Sequence, residues 1–268
     1  MKNILLLFFN LVLVVHFANA QNSFTVSETT NAFTVDGELN ESQWGTAETL
    51  GDFTVNFPNF GKDSKYDTKV KVVYDNEAIY IGAILRDHRP DSISYSLSQR
   101  DDMGNADWFG VSLDPYANNV TAFTFLVTSA GVELDALEYP EGPDWSWNAV
   151  WKSATVKRED GWSVEIRIPF SAIRFPNKSV QEWNVNFARS VRRDRELSHW
   201  NPVDPNIFGD ITQSGVMKGI KNIKSPLRLS LTPYVTGYLE NSYDYTLDRQ
   251  TWKNRITGGV DLKYGLRF

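Results

Sequence analysis

Alternation with a period of two runs through this chain from Phe33 to its end, and it limits the fold more than any other feature. Apolar side chains at every second position suit a strand with one buried face and leave little room for amphipathic helices. Thr68–Tyr74 puts Val70, Val72 and Tyr74 on one face. After the turn Asp75-Asn76-Glu77, residues 78–85 return as a more continuously apolar strand, which predicts a hairpin near the centre of a sheet. Trp108–Asp114 and residues 121–128 pair around 115–119, and Ser129-Ala130-Gly131 turns the chain into residues 132–137. Residues 149–157 and 162–168 flank Glu159-Asp160-Gly161, where Asp-Gly tolerates the positive φ of a hairpin turn. Residues 183–191 form a further strand.

Helical pattern is confined to two single turns, residues 41–47 with Asn40 as N-cap and residues 169–173 opened by Pro169. Leu39 and Trp44 are expected to cover the open end of a core. The predicted fold is therefore all-β, an antiparallel β-sandwich of immunoglobulin-like or jelly-roll-like type. Trp108, Trp151, Trp162 and Trp183 begin or interrupt strands and read as core or edge packing.

Composition removes whole classes of function. The chain has 268 residues and no Cys, which excludes Cys-based zinc sites, disulfide frameworks, thiol nucleophiles and iron–sulfur clusters. A net charge of −6 without a basic stripe argues against nucleic acid as a partner. No nucleophile elbow, phosphate loop or HExxH pattern is present, and His88 and His199 are isolated in the sequence.

Residues 1–20 read as a signal peptide. Lys2 is followed by an apolar run over 4–17 and by Ala18-Asn19-Ala20, with cleavage expected before Gln21. The run is shorter than the ~20 residues that a spanning helix needs. The chain is thus expected beyond the inner membrane, in the periplasm or at the outer membrane or cell surface. An exported chain without Cys must be held by its core.

Five blocks, in order, carry a family resemblance. Asp36-Gly37, Leu39, Glu41, Trp44 and Ala47 resemble the opening "I-D-G-x-L-x-E-x-x-W-x-x-A" of family 9 carbohydrate-binding-module-like domains. Residues 69–87 are similar to that family's "V-K-V-x-Y-D" hairpin, Asp107 to Asp114 to its "D-x-V-E-I-F-I-D" strand, 161–169 to "G-Y-x-V-E-x-x-I-P", and 183–187 to "I-G-F-N". The resemblance spans about residues 24–225. It implies a carbohydrate-binding sandwich over 21–225 that concentrates xylan- or cellulose-type polysaccharide for catabolism by an associated hydrolase or transporter. Two other readings stand beside it: a periplasmic structural or interaction domain without a sugar ligand, and a glycoside hydrolase acting on O-glycosyl bonds.

Sugar recognition needs exposed aromatic faces flanked by polar groups of fixed geometry. Trp145, Trp147 and Asn148 follow Pro140-Glu141-Gly142-Pro143 and make the best candidate cluster. Trp200, between His199 and Asn201-Pro202, is a second loop Trp and the nearest match to one of the two Trp that clamp sugar in the family. The other clamp Trp has no counterpart in residues 103–107. Arg86 and Asn105 fall near the family's cleft. Calcium is the cofactor that the resemblance implies, with Asp101, Asp102 and Asp107 as candidate ligands. Glu133 and Asp135, on one strand face and ~7 Å apart at Cα by a ~3.3 Å rise, are the weak catalytic candidates of the hydrolase reading.

The last forty residues change character. Residues 227–235 and 256–264 alternate, and 237–248 are rich in Tyr and Asn. Segments of this kind resemble outer-membrane barrel strands. Residues 226–268 are accordingly expected to begin a barrel-like domain cut short after two strands, which would associate the chain with the outer membrane.

Overall fold

The computed structural model describes residues 21–30, 33–224 and 228–265. The predicted signal peptide, residues 1–20, lies outside the described residues. In chain order the strands are β1 (Ser23–Thr25), β2 (Ser27–Glu28), β3 (Thr54–Phe57), β4 (Thr68–Tyr74), β5 (Ala78–Arg86), β6 (Trp108–Asp114), β7 (Ala122–Thr128) and β8 (Glu133–Tyr139). They continue with β9 (Gly142–Asp144), β10 (Lys152–Arg158), β11 (Gly161–Pro169), β12 (Val180–Val191), β13 (Glu196–His199), β14 (Gly215–Lys221), β15 (Arg228–Asp244) and β16 (Arg249–Gly265).

Two sheets face each other. The larger has nine strands along the path β1-β14-β12-β6-β7-β8-β9, with β13 pairing β12 and β3 pairing β13; the smaller has the order β10-β11-β5-β4-β2. All pairings in both are antiparallel except the short β1–β14 and β2–β4 contacts. The predicted hairpin of β4 and β5 does sit inside its sheet. Alternation sends Val70, Val72, Tyr74, Ile79, Ile81, Leu85, Trp162, Val164 and Ile166 inward from the small sheet. They meet Phe109, Val111, Leu113, Phe123, Phe125, Trp183, Val185 and Phe187 from the large one. Strands β1, β2, β3, β9 and β13 carry no sequence signal, because two to four residues show too little alternation to register, and the seven-residue β14 was not predicted either.

The opening segment departs from expectation. Residues 42–45 form one 3-10 turn with no side-chain cap from its N-terminal neighbour, whereas residues 170–173 form the short turn expected of them. Trp44 is buried, yet it does not close an end of the core. It packs with Ala47, Val73, Ala78 and Tyr80 on the outer face of the small sheet. Gly82 makes room there, since a Cβ on it would stand 2.8 Å from Leu39 and 2.9 Å from Trp44. The buried carboxylate of Glu165 on β11 fastens the segment. It accepts hydrogen bonds from the Asp36 and Gly37 amides and from Trp44 Nε1, each at 3.0 Å.

Candidate functional site

Strand register decides which side chains reach the outer face of the large sheet. On β6 the odd residues 109, 111 and 113 are core, so Trp108, Gly110 and Ser112 point away from it. Cross-strand neighbours then bring Thr124 and Leu126 of β7, Glu138 of β8, Asn186 and Ala188 of β12 and His199 of β13 to the same face. These residues floor a cleft of about 180 Å³. Its walls are Met103, Trp145 and the segment from Val203 to Ser214 that follows β13. Trp108 and Trp145 are both half-buried and rest on one apolar cluster of Leu126, Val132 and Leu134. Among the described residues neither indole N–H makes a hydrogen bond. Gly110 opens the floor, since a Cβ there would lie 2.0 Å from a Leu126 methyl.

A tight turn delivers Trp145. The β8–β9 pairing brings the chain back along β8, with Gly142 at φ +132°, and Asp144 Oδ1 then accepts from Ser146 N at 2.9 Å. The two tryptophans that follow part company. Trp145 goes to the cleft face beside Leu126, whereas Trp147 goes to the core face against Phe123 and Phe125, at ring distances of 5.4 and 5.9 Å.

The polar equipment of the cleft includes two hydroxyls, two carboxyls and an imidazole. Thr124 Oγ1 donates to Glu138 Oε2 at 2.6 Å and also reaches Ser112 Oγ at 3.2 Å. Burial, and then the negative Asp210 nearby, hold the Glu138 carboxyl above the ordinary range, while the bond from Thr124 works against them. Burial pushes the His199 imidazole down to about 4, so it is neutral at pH 7, and its Nδ1 has no hydrogen-bond partner. Nδ1 is sealed from solvent, so it is an orphan within the cleft wall and not an open ligand partner. No Lys or Arg lines the cleft.

Of the residues singled out from sequence, only Trp145 lines this cleft. Trp200 is 5% exposed, packed between Phe24 and Phe187 and over Gly215, and is a core residue rather than a clamp. Trp147 is partly buried in core packing. Asn148 is exposed outside the cleft and donates to Ser146 O at 3.4 Å. Asn105 accepts from Arg192 Nε at 2.7 Å, and Arg86 bridges Asp67 and Asp160 at 2.8 and 3.0 Å. Neither lines the cleft. Trp108, Glu138 and His199 were missed. For Trp108 a signal existed: the alternation that buries Phe109 and Val111 obliges it to face the other way.

Glu133 and Asp135 belong to β8 but lie on the face opposite Glu138. Arg100 bridges them, with Nη1 to Glu133 at 2.8 Å and Nη2 to Asp135 at 3.0 Å. Fully buried Asp135 also accepts from Ala149 N at 2.8 Å and Trp151 Nε1 at 3.2 Å. The pair thereby anchors the loop that carries Trp145 and is committed to structure.

Calcium takes six to eight oxygen ligands, and the three aspartates expected to supply them do not converge. Asp107 is buried with Oδ1 on Arg192 N, Asp101 faces Arg100, and Asp102 caps its own turn through Gly104 N. Among the described residues the carboxylates that do converge are Asp36, Glu41 and Glu165, within 4.8 Å of one another. Both Glu165 oxygens there already serve three N–H donors, so this group does not fit calcium either.

Comparisons with known proteins agree with the architecture. A family model described as carbohydrate family 9 binding domain-like matches residues 35–218, and one described as a domain of unknown function, DUF5916, matches residues 225–267. A family 9 carbohydrate-binding module from Caldicellulosiruptor kristjanssonii, solved with cellotriose, is similar at 16% identity and TM-score 0.55, over 74% of this chain and 93% of that one. A module of the same family and organism, solved with glucose, gives 17% identity and TM-score 0.55 over 76% and 100%. A Bacteroides uniformis protein gives 13% and 0.61 over 74% and 99%. No curated protein matches the chain.

Proposed function

The chain belongs to the carbohydrate family 9 binding domain-like family, and from that premise we propose that the cleft between Trp108 and Trp145 binds the sugar of a neutral glycan. The observation that carries this reading is the pairing of two half-buried indoles with Ser112, Thr124 and Glu138 on one sheet face. Indole faces suit the C–H side of a pyranose, and the polar groups can fix its hydroxyls. A cleft of about 180 Å³ accommodates little more than one ring, so the rest of a chain would run out over the rim. Two similar modules are described in complexes with cellotriose and glucose, which makes β-glucan or xylan oligosaccharides the first ligands to try.

In the same reading the chain is exported by residues 1–20 and held at the outer membrane by residues 226–268. It would concentrate polysaccharide there for a hydrolase or transporter. The test is titration with cello- and xylo-oligosaccharides, followed by calorimetry and Trp fluorescence. Saturable binding that Trp145→Ala removes is expected. A folded protein that binds no neutral glycan would leave only a scaffold role.

A further inference from the structure

The outer face of the large sheet continues past the cleft. Leu197 of β13 belongs to the cleft lining, and cross-strand pairing carries its face onward. Trp108 on β6 stands opposite Ser190 on β12, Ser190 opposite Leu197, and Leu197 opposite Phe57 on β3. Directly opposed residues share a face, so Trp108, Ser190, Leu197 and Phe57 form one row across the adjacent strands β6, β12, β13 and β3. A bulge sets the far end of that row. Pairing slips by one residue between Leu197 and Ser198, so that Phe57 and not Asn56 stands opposite Leu197. Strict alternation from buried Val55 would turn Phe57 into the core. The extra residue re-aims it, as bulges do, and leaves the ring 55% exposed. Asn56 lies on the outer side as well, since its Nδ2 donates at 2.8 Å to the carbonyl of Val203 in the segment that walls the cleft.

We propose that Phe57 is a second sugar platform, and that the row from Trp108 to Phe57 holds the further units of a glycan whose first ring lies in the cleft. This rests on the reading of the cleft as a sugar site and adds the direction in which the bound chain leaves it. Three observations select the glycan itself as the occupant of the row. The row is continuous with the cleft through Leu197, and a cleft of about 180 Å³ leaves most of an oligosaccharide outside. Three strand-to-strand steps of ~4.8 Å separate Trp108 from Phe57 by roughly 14 Å, which gives room for further rings laid across the strands. The row also has the mixed character that a pyranose chain asks for: aromatic rings at its two ends, an aliphatic side chain and a hydroxyl between them, and no charged residue interrupting it. The exposed Phe57 ring thereby makes the site one that favours oligosaccharides over single sugars.

The test is calorimetric titration of the full chain with glucose and xylose, and with the cello- and xylo-oligosaccharides up to the hexasaccharides, for the unaltered protein, Phe57→Ala and Phe57→Tyr. Affinity is expected to rise with chain length. Phe57→Ala should lower the affinity for a hexasaccharide by roughly fivefold to tenfold, the range of one aromatic contact, and leave that for the single sugar unchanged. Phe57→Tyr keeps the ring and should keep the gain. Hexasaccharide affinity that Phe57→Ala leaves intact, or an equal loss for the single sugar, would overturn the proposal. So would self-association in sedimentation that Phe57→Ala abolishes, because a second copy would then cover the ring. The single sugar reads the cleft alone. Binding of it without any gain from chain length overturns the platform and spares the cleft, whereas a folded protein that binds no sugar of any length overturns both.

Discussion

At the residue scale, function separates tryptophans that look alike in sequence. Trp145 and Trp147 are two positions apart, yet one lines the cleft and the other packs on Phe125. Trp108→Ala and Trp145→Ala are each expected to weaken glycan binding roughly 30-fold or more, the ~2 kcal/mol scale of a buried aromatic anchor, without unfolding the protein. Trp200→Ala should do the reverse. It removes a core side chain, with a stability loss of about 3–5 kcal/mol in urea unfolding and an unaltered cleft in whatever fraction folds. Glu138 makes affinity depend on pH. Its carboxyl is raised, mainly by burial, and the ionised form is the stronger acceptor for a sugar hydroxyl. Affinity should therefore fall on acidification, starting at a higher pH than for an ordinary glutamate, and Glu138→Gln should flatten the profile in calorimetry at a cost of about 1.5–3 kcal/mol. None of this was legible beforehand for His199, because a single histidine in a sequence says nothing about whether its nitrogens find partners.

At the scale of elements, the opening segment is docked through Glu165, whose carboxyl is pushed up to about 7, chiefly by burial and also by negative Glu41. The usual carboxylate dependence is then reversed. Between an unfolded value near 4.5 and a folded value of about 7 the native state keeps a proton that the unfolded chain has released. Stability is thus full below the lower value and declines as pH rises through the upper one, by on the order of 3 kcal/mol. Glu165→Gln removes the titrating group, so the melting temperature should lose most of its fall between pH 5 and pH 8, whereas Glu41→Gln, which removes only the smallest cause of the shift, should lessen it slightly. The elements themselves were largely readable. β4 and β6 were predicted at the observed bounds, and β5, β7, β10, β11 and β12 within a few residues, because each is a run of seven or more residues, alternating or continuously apolar, bounded by turn residues. The destination of residues 41–47 was not, since a lone Trp with a Leu fits the end of a core as well as the back of a sheet. Tertiary packing chose the back, where Gly82 leaves room and Glu165 supplies an acceptor.

For the whole molecule, sandwich and hairpin are physically different objects. One has a closed core between two sheets; the other exposes an apolar face. Deleting residues 226–268 is expected to leave the urea midpoint of the sandwich and its glycan affinity unchanged while abolishing association with vesicles, measured by flotation. The alternating pattern alone fixed the all-β class, the principal strands and the outer halves of the two C-terminal strands, because a period of two survives any arrangement of the strands in space. The five ordered blocks also placed the chain in its family. What the sequence could not decide was which aromatic rings converge. Trp108, Trp145, Glu138 and His199 come from positions as much as 91 residues apart, and their meeting depends on the order β13-β12-β6-β7-β8, on a turn at Pro140 to Gly142, and on Arg100 holding the loop behind them. Strand order and loop anchoring are long-range choices made by packing, and a one-dimensional pattern carries no record of them.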